Sequence, residues 1–338
     1  MAVSVRDVAE LARVSVGTVS NVLNRPEKVS PDTVERVQAA IQELGFVRND
    51  VARQLRVGRS RTIGLVVLDV RNPFFTDLAR GAEERAAEAS LSVLLGNSDE
   101  DVRREAAHLD LFEEQRVFGV LISPLADAMP RIERLRAHGI PAVLVDRADE
   151  DLSFSSVAVD DVAGGELAVQ HLLDLGRRRI AFVGGPMDIR QVADRLAGAR
   201  RAVERFPEAT LEVIATEGQT VLAGRAAGER IRERPTAERP DAVFAANDLL
   251  AVGTLQALVM SGSVAVPDEI ALIGYDDIDF ASATVVPLSS IRQPSMLIGR
   301  RAVELLLREA ADPESAREQV VFQPELVARD STLGRSAR

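Results

Sequence analysis

Val3-Ser4-Val5-Arg6-Asp7-Val8-Ala9-Glu10-Leu11-Ala12-Arg13-Val14-Ser15-Val16-Gly17-Thr18-Val19-Ser20-Asn21-Val22-Leu23-Asn24 reads as two short helices joined at one tight corner. In the first half Val5, Val8, Ala9 and Ala12 share a helical face, and Ser4 with Asp7 three residues on forms an N-terminal capping pair. In the second half Val19, Val22 and Leu23 recur at helical spacing, and Ser15 offers a hydroxyl to the free amides of the first turn. Two helices this short bury too little apolar surface alone. Ser30-Pro31 opens a third, a cap followed by proline at the first helical position, running through Val34, Val37, Ile41 and Leu44 to Gly45. Three small helices around a thin core match the helix-turn-helix module, whose second helix enters the major groove of DNA; the alternative is a generic small bundle. The remaining face of the second helix holds Val16, Gly17, Thr18, Ser20 and Asn21, short residues that a groove tolerates, with Asn21 suited to reading an adenine edge.

Composition bounds the rest. A chain of 338 residues has room for two or three domains. It has no cysteine and three dispersed histidines, His108, His138 and His171, which excludes disulfide frameworks and cysteine-based zinc sites and favours the reducing cytoplasm. The start is charged and no run approaches 18 apolar residues, so neither export nor a membrane span is expected. The net charge of -11 divides unevenly: residues 1–61 carry ten Lys/Arg against seven Asp/Glu, and all the excess acid lies beyond them. A basic head on an acidic body suits a nucleic-acid-binding module joined to a different function.

Residues 49–60 follow the third helix. Val51, Ala52 and Leu55 line one face of a two-turn helix that would form only against a partner; the competing reading is a basic linker. Here the sequence resembles a known family. The stretch from Val3 to Leu55, with Asp7-Val8-Ala9, Val14-Ser15, Thr18-Val19-Ser20 and Val51-Ala52-Arg53-Gln54-Leu55, is similar to the lactose-repressor (LacI/GalR) family of bacterial transcription regulators, and the similarity continues through the whole chain. The resemblance implies that the segment is a hinge helix that pairs with its twin in the minor groove, where Leu55 wedges between base pairs and kinks the operator. It also implies operator contacts from Ser4, Val5, Ser15, Val16, Gly17, Thr18, Ser20, Asn21, Asn24, Ala52, Leu55 and Arg56. Arg13 departs from the glycine or asparagine that many relatives place at the corner. A left-handed backbone there costs an arginine about 1 kcal/mol.

Beyond Ser60 short apolar runs alternate with amphipathic helices. Thr62–Leu68, Leu91–Leu95, Gly119–Ile122 and Ala142–Val145 form one series; Ile180–Val183, Leu211–Ala215, Ala242–Phe244 and Ile270–Ile273 form a second. Continuous β-branched and leucine runs are those of parallel strands buried on both faces. The expected fold is therefore α/β: an N-terminal three-helix helix-turn-helix head (1–47), a hinge and linker (48–60), and two doubly wound parallel-sheet lobes (61–338) of the periplasmic-binding-protein type. The first lobe is expected to take about 61–158 and 290–320, the second about 159–289 and 321–335.

Open parallel sheets bind ligands at the carboxyl ends of their strands. Those ends hold Asp69 to Phe75 and Asp146-Arg147 in the first series. In the second they hold Gly184-Gly185-Pro186 with Arg195 beyond, Asn247-Asp248 and Tyr275-Asp276-Asp277, and Ile291-Arg292-Gln293-Pro294 crosses back. Planar polar side chains beside two phenylalanines suit a sugar, forking onto vicinal hydroxyls while an aromatic face covers the ring. Each acid taken singly is equally well a helix cap. The resemblance to the family core, and to periplasmic sugar-binding proteins, implies a ligand set of Asn72, Phe74, Phe75, Asp146, Arg147, Arg195, Asn247, Asp276 and Gln293, in part the pattern of ribose-type pentoses. Gln219 stands where a second ring-closing aromatic is expected, which weighs against ribose itself, and Arg147 stands where purine-binding relatives favour an aromatic. Arg195 and Asp276 are expected to end in solvent, so that removing either spares the fold.

No glycine-rich phosphate loop and no nucleophile-histidine-acid set is present, so an enzyme is not expected, and no cofactor or metal is called for. The leading expectation is a transcription repressor of sugar-utilisation genes. It would bind pseudo-palindromic operator DNA as a homodimer, with a tetramer the less favoured assembly because no leucine heptads follow the last strands, and it would be controlled by a pentose or hexose. The alternatives are the same regulator under a protein co-effector or a nucleoside, or a sugar-binding protein without DNA function.

Overall fold

The computed structural model describes residues 3–46, 60–125, 128–148, 151–260 and 264–334. The chain forms two compact units, Met1–Ser60 and Arg61–Arg338.

The first unit contains α1 (Val5–Leu11), α2 (Val16–Asn24) and α3 (Pro31–Leu44). Ser4 and Asp7 close a reciprocal capping box on α1, and Ser15 Oγ accepts from the Thr18 amide to cap α2. Ser30 occupies the cap position of α3, but its hydroxyl donates to Thr33 Oγ1 instead of accepting from the backbone. Val8, Ala9, Ala12, Val19, Val22, Val37 and Ala40 form the core. At the corner Arg13 adopts φ +54°, and the Val14 amide reaches back to the Ala9 carbonyl at 3.0 Å. The same closure ends α3, where Gly45 has φ +60° and the Phe46 amide bonds Ile41 O at 3.0 Å. An arginine thus carries the left-handed turn that the other helix gives to glycine. Ala52, Leu55 and Arg56, the expected hinge contacts, lie outside the described residues, as does the side chain of Asn24.

The second unit holds two six-stranded sheets. In chain order its elements begin with β1 (Thr62–Val67), α4 (Pro73–Glu88), β2 (Ser92–Asn97), α5 (Val102–Glu114), β3 (Gly119–Ile122), α6 (Met129–Ala137), β4 (Ala142–Val145) and β5 (Ser155–Val159). Then come α7 (Asp161–Asp174), β6 (Arg179–Gly184), α8 (Arg190–Val203), β7 (Thr210–Ala215), α9 (Val221–Arg232), β8 (Ala242–Ala245), α10 (Asp248–Val259), β9 (Ala271–Asp276) and α11 (Asp279–Ala283). The last are β10 (Ser289–Arg292), α12 (Ser295–Ala311), β11 (Gln319–Phe322), β12 (Glu325–Val327) and α13 (Asp330–Leu333).

The first sheet runs β11-β5-β4-β3-β1-β2, all parallel; the second runs β12-β10-β9-β8-β6-β7, parallel except for β12 against β10. The chain crosses later than expected: β10 pairs with β9, so residues 290–292 belong to the second lobe and α12 is the first returning element. β5, β10, β11 and β12 are short strands that the hydrophobic runs did not announce, since Ser155-Ser156 and Ser289-Ser290 open two of them. Both sheets are covered by helices whose axes approach closely. On α7 and α8 a Cβ at Gly165 would stand 2.0 Å from Arg195 O, and one at Gly198 1.9 Å from Val162 O. That approach sets Arg195 beside the start of α7. Among the described residues no helix is long and apolar enough to cross a membrane.

Candidate functional site

Two surfaces carry the chemistry, one in each unit. On α2, Val16, Gly17 and Asn21 are exposed and Thr18 and Ser20 are half-buried, on the side away from Val19 and Val22. The Ser15 and Thr18 hydroxyls lie 2.9 Å apart and join the helix cap, so their first role is to hold the N-terminus of α2. Ser4 donates through its amide (2.7 Å) and its hydroxyl (2.8 Å) to Asp7, and these bonds draw the Asp7 carboxyl below its ordinary range. Val5 is half-buried at the start of α1.

In the second unit the carboxyl ends of the strands of both lobes face a cavity lined by Leu68, Asn72, Phe74, Phe75, Asp146, Ile189, Gln191, Arg195, Gln219 and Asp276. Asn72 follows β1 and caps α4, its Oδ1 accepting from the Phe74 amide at 3.1 Å while its Nδ2 donates to Asp276 Oδ2 at 2.8 Å. Phe74 and Phe75 form an edge-to-face pair with centroids 5.0 Å apart. Asp146 follows β4 with a left-handed backbone, φ +58°. Gln191 Nε2 donates to its carbonyl at 2.6 Å and to its Oδ2 at 2.8 Å, a second bridge between lobes, and Asp146 Oδ1 has no hydrogen-bond partner.

Asp276, at the end of β9 with φ +105°, accepts from Gln293 Nε2 at 2.7 Å as well as from Asn72. Arg195 donates from Nε to Asp161 Oδ1 at 2.7 Å and from NH1 to Ala246 O at 2.7 Å, stands 3.8 Å from Asp276, and lies 3.7 Å over the Tyr275 ring. Burial pushes the carboxyls of Asp146, Asp161 and Asp276 above the ordinary aspartate range; for Asp146 the neighbouring negative charges of Asp161 and Asp276 add to the shift, and for all three Arg195 opposes it. Burial also disfavours the Arg195 charge, but Asp161, Tyr275, Asp276 and Asp146 more than offset it. The cluster thus keeps its guanidinium charged.

Of the nine residues expected at the ligand, Asn72, Phe74, Phe75, Asp146, Arg195 and Asp276 line the cavity together. Gln293 stands directly behind Asp276 with its Oε1 unpartnered. Asn247 is used as the cap of α10, accepting from Leu250 N at 2.9 Å and donating to Gln219 O at 3.2 Å, and is not in the cavity wall. Arg147 is half-buried and also outside that wall. Arg195 and Asp276 do not end in solvent as expected: both are buried in a shared polar network.

Sequence reasoning missed Gln191 and Asp161. Gln191 lies four residues before Arg195, which puts both on one face of α8, and Asp161 follows a strand as Asp69 and Asp146 do. The strand before Asp161 was the unannounced β5. Asp248, buried, accepts from Ile278 N at 2.9 Å and Ser290 Oγ at 2.7 Å and ties down the loop carrying Asp276.

The chain matches the family model described as bacterial regulatory proteins, lacI family, over residues 4–49, and a periplasmic binding protein-like domain over residues 169–332. The ribose operon repressor of Escherichia coli (strain K12) is 35% identical over 335 residues, covering 97% of this chain and 99% of that protein. The HTH-type transcriptional repressor PurR of Aliivibrio fischeri (strain MJ11) is 32% identical over 339 residues, covering 98% and 99%. Among solved structures, the Lac repressor dimer bound to operator and the anti-inducer ONPF superimposes with a TM-score of 0.85 at 29% identity, covering 98% of this chain and all (100%) of that one. A LacI family transcriptional regulator from Enterococcus faecium with bound ribose gives 0.73 at 28% identity, covering 81% and 100%. A helix-turn-helix head, two doubly wound lobes and full-length similarity to repressors place one conclusion on this chain: it belongs to the lacI family of bacterial regulatory proteins and is a DNA-binding regulator of transcription.

Proposed function

We propose that the protein represses sugar-utilisation genes from the bacterial cytoplasm, binding a pseudo-palindromic operator as a homodimer and yielding or holding it according to a small sugar bound between its lobes. On DNA, α2 presents Val16, Gly17 and Asn21 to the major groove, with Ser4, Val5, Ser15, Thr18, Ser20 and Asn24 beside them, and Ala52, Leu55 and Arg56 engage the minor groove. The observation that carries the effector reading is the cavity in which Asn72, Phe74, Phe75 and Asp146 of the first lobe meet Gln191, Arg195 and Asp276 of the second. A ligand touching both walls binds one lobe arrangement better than another, and only such a difference changes operator affinity. The ribose carried by the Enterococcus faecium relative supports a pentose, and a hexose is the second choice.

Isothermal titration of pentoses and hexoses into the full chain, with and without operator duplex, tests this. One sugar should saturate at one site per subunit, and operator should change its Kd by the factor by which the sugar changes the operator's. Saturable sugar binding with no effect on operator affinity would sink the allosteric reading. No binding by any sugar would sink the effector reading.

A further inference from the structure

Three carboxyl groups, drawn from both lobes, converge on one guanidinium at the interlobe cavity, and their surroundings decide which of them holds a proton; the argument rests on the sugar-effector reading above. Asp146 follows β4 of the first lobe, Asp161, Arg195 and Asp276 belong to the second, and all four are buried. Arg195 Nε donates to Asp161 at 2.7 Å, and its NH1 stands 3.8 Å from Asp276. Asp276 also accepts from Asn72 at 2.8 Å and from Gln293 at 2.7 Å, two bonds that favour its charged form. Asp146 is served least. Its carboxyl accepts one bond, from Gln191 Nε2 to Oδ2 at 2.8 Å, its Oδ1 has no hydrogen-bond partner, and among the described residues Arg195 forms its ion pairs with Asp161 and Asp276 instead.

The groups that face Asp146 from the opposite wall are Asp161 at the start of α7, Gln191 and Arg195 on α8, and Asp276 after Tyr275, whose ring lies under Arg195. Arg147, its neighbour in sequence, is outside the wall. The Gln191 bond, the guanidinium and the first turn of α8, which Ile189 leaves without a side-chain cap, favour a charged Asp146. Burial and the charges of Asp161 and Asp276 oppose it and prevail, holding the carboxyl well above the ordinary aspartate range. Moving the lobes apart returns Asp146 to water, where an aspartate ionises near pH ~4. A neutral Asp146 keeps Oδ2 as the acceptor for Gln191 and makes Oδ1 an O–H donor into the cavity that it lines.

We propose that this protein takes up a proton together with its effector: Asp146 completes the site as a neutral carboxyl, donating through Oδ1 to an acceptor oxygen of the sugar. The proton is then held more tightly with sugar bound than without it. The sugar's Kd accordingly rises with pH above the ordinary aspartate value of about 4 and levels off above the raised one.

Calorimetry on the full-length protein with D-ribose, D-xylose, D-glucose and D-galactose tests this, each titrated from about pH 5 to pH 8 in buffers of different ionisation enthalpy. For a sugar that saturates the site, the dependence of heat on buffer should show proton uptake, and Kd should rise by up to ~10-fold per pH unit. Asp146→Asn presents an amide N–H where the neutral carboxyl presents its O–H, and it should take up no proton and hold a level Kd. Glu100, half-buried beside Gln219 with its carboxyl raised by burial, is the competing source of a proton, and Glu100→Gln should leave the uptake in place.

A parent that binds sugar without proton uptake overturns the inference and leaves the sugar reading intact. Uptake that survives in Asp146→Asn, or vanishes in Glu100→Gln, also overturns it, as does loss of sugar binding in an Asp146→Asn variant that a thermal melt shows folded. Should that variant not fold, difference infrared spectra of Glu100→Gln with and without sugar decide: a protonated-carboxyl band should grow as the site fills, and its absence refutes the assignment. Saturation by none of the sugars removes the sugar reading and this one with it.

Discussion

Asn72 and Asp276, separated by 204 residues in sequence, share a 2.8 Å hydrogen bond that joins the two lobes in the wall of the cavity. The same Asn72 side chain caps α4 through its Oδ1, so one residue fixes the start of a helix in the first lobe and the end of a strand in the second. Asn72→Ala removes both bonds and should lower stability by about 1–3 kcal/mol in urea unfolding. Asn72→Asp keeps the cap but sets a carboxylate against Asp276. It should retain most of the stability and lose the ligand response, and a variant responding normally would remove this bond from the coupling.

Arg195 is the residue for which loss of function and loss of fold are hardest to separate. Truncation to alanine leaves Asp161 buried without its ion partner, and breaking a buried pair from one side typically costs about 3–5 kcal/mol. The Asp161→Ala/Arg195→Ala double variant should therefore be more stable than Arg195→Ala alone. Additive losses in that double-mutant cycle would show that the pair is energetically uncoupled.

Asp248 links stability to pH. Burial first, and then the negative charge of Asp276, pushes its carboxyl well above the ordinary range, against the bonds from Ser290 and the Ile278 amide. A raised folded-state value means that its contribution is complete below the ordinary aspartate value of about 4 and is lost as pH rises through the raised one. Asp248→Asn retains both bonds if the Ser290 hydroxyl reverses its direction, and it carries no charge to bury. At pH 8 this variant should match or exceed the parent in stability, the advantage shrinking toward pH 4. Asp248→Ala strands the Ile278 amide and should lose about 1–3 kcal/mol. An asparagine variant that gains stability on acidification relative to the parent would reverse the assignment.

On the head, Val16 and Gly17 bring no hydrogen-bonding side chains to the exposed face of α2, and Asn21 does. Asn21→Ala should relax discrimination at one base pair by roughly 1–3 kcal/mol while leaving nonspecific affinity, which comes from phosphate contacts, nearly intact. Binding to a panel of single-base operator variants reads this directly. An unchanged preference at every position would take Asn21 out of the base-reading set.

The head and the alternation of strands and helices were legible in the residues because both depend on local rules. Helical spacing of Val5, Val8, Val19 and Val22, the Ser4-Asp7 cap, and apolar runs such as Gly119–Ile122 act within a few residues and need no partner to be read. Arg13 shows the limit of even that reading: its left-handed φ of +54° is visible as a departure in sequence, but the closure of Val14 onto Ala9 that holds it is a matter of three-dimensional geometry. The short strands Ser155–Val159 and Ser289–Arg292 were not legible, because a serine-led run becomes a strand only when β4 or β9 lies beside it to take its backbone bonds. The cavity divides in the same way. That Asn72, Asp146 and Asp276 lie at strand ends followed from periodicity, whereas Arg195, inside α8, was expected at the site from the family resemblance alone. Only the tertiary structure decided that Asn247 is used as a helix cap, that Arg195 faces Asp161, and that Gln191 bridges to Asp146. Each depends on how closely two elements far apart in sequence approach, as α7 and α8 do at Gly165 and Gly198, and single-sequence pattern carries no measure of that distance.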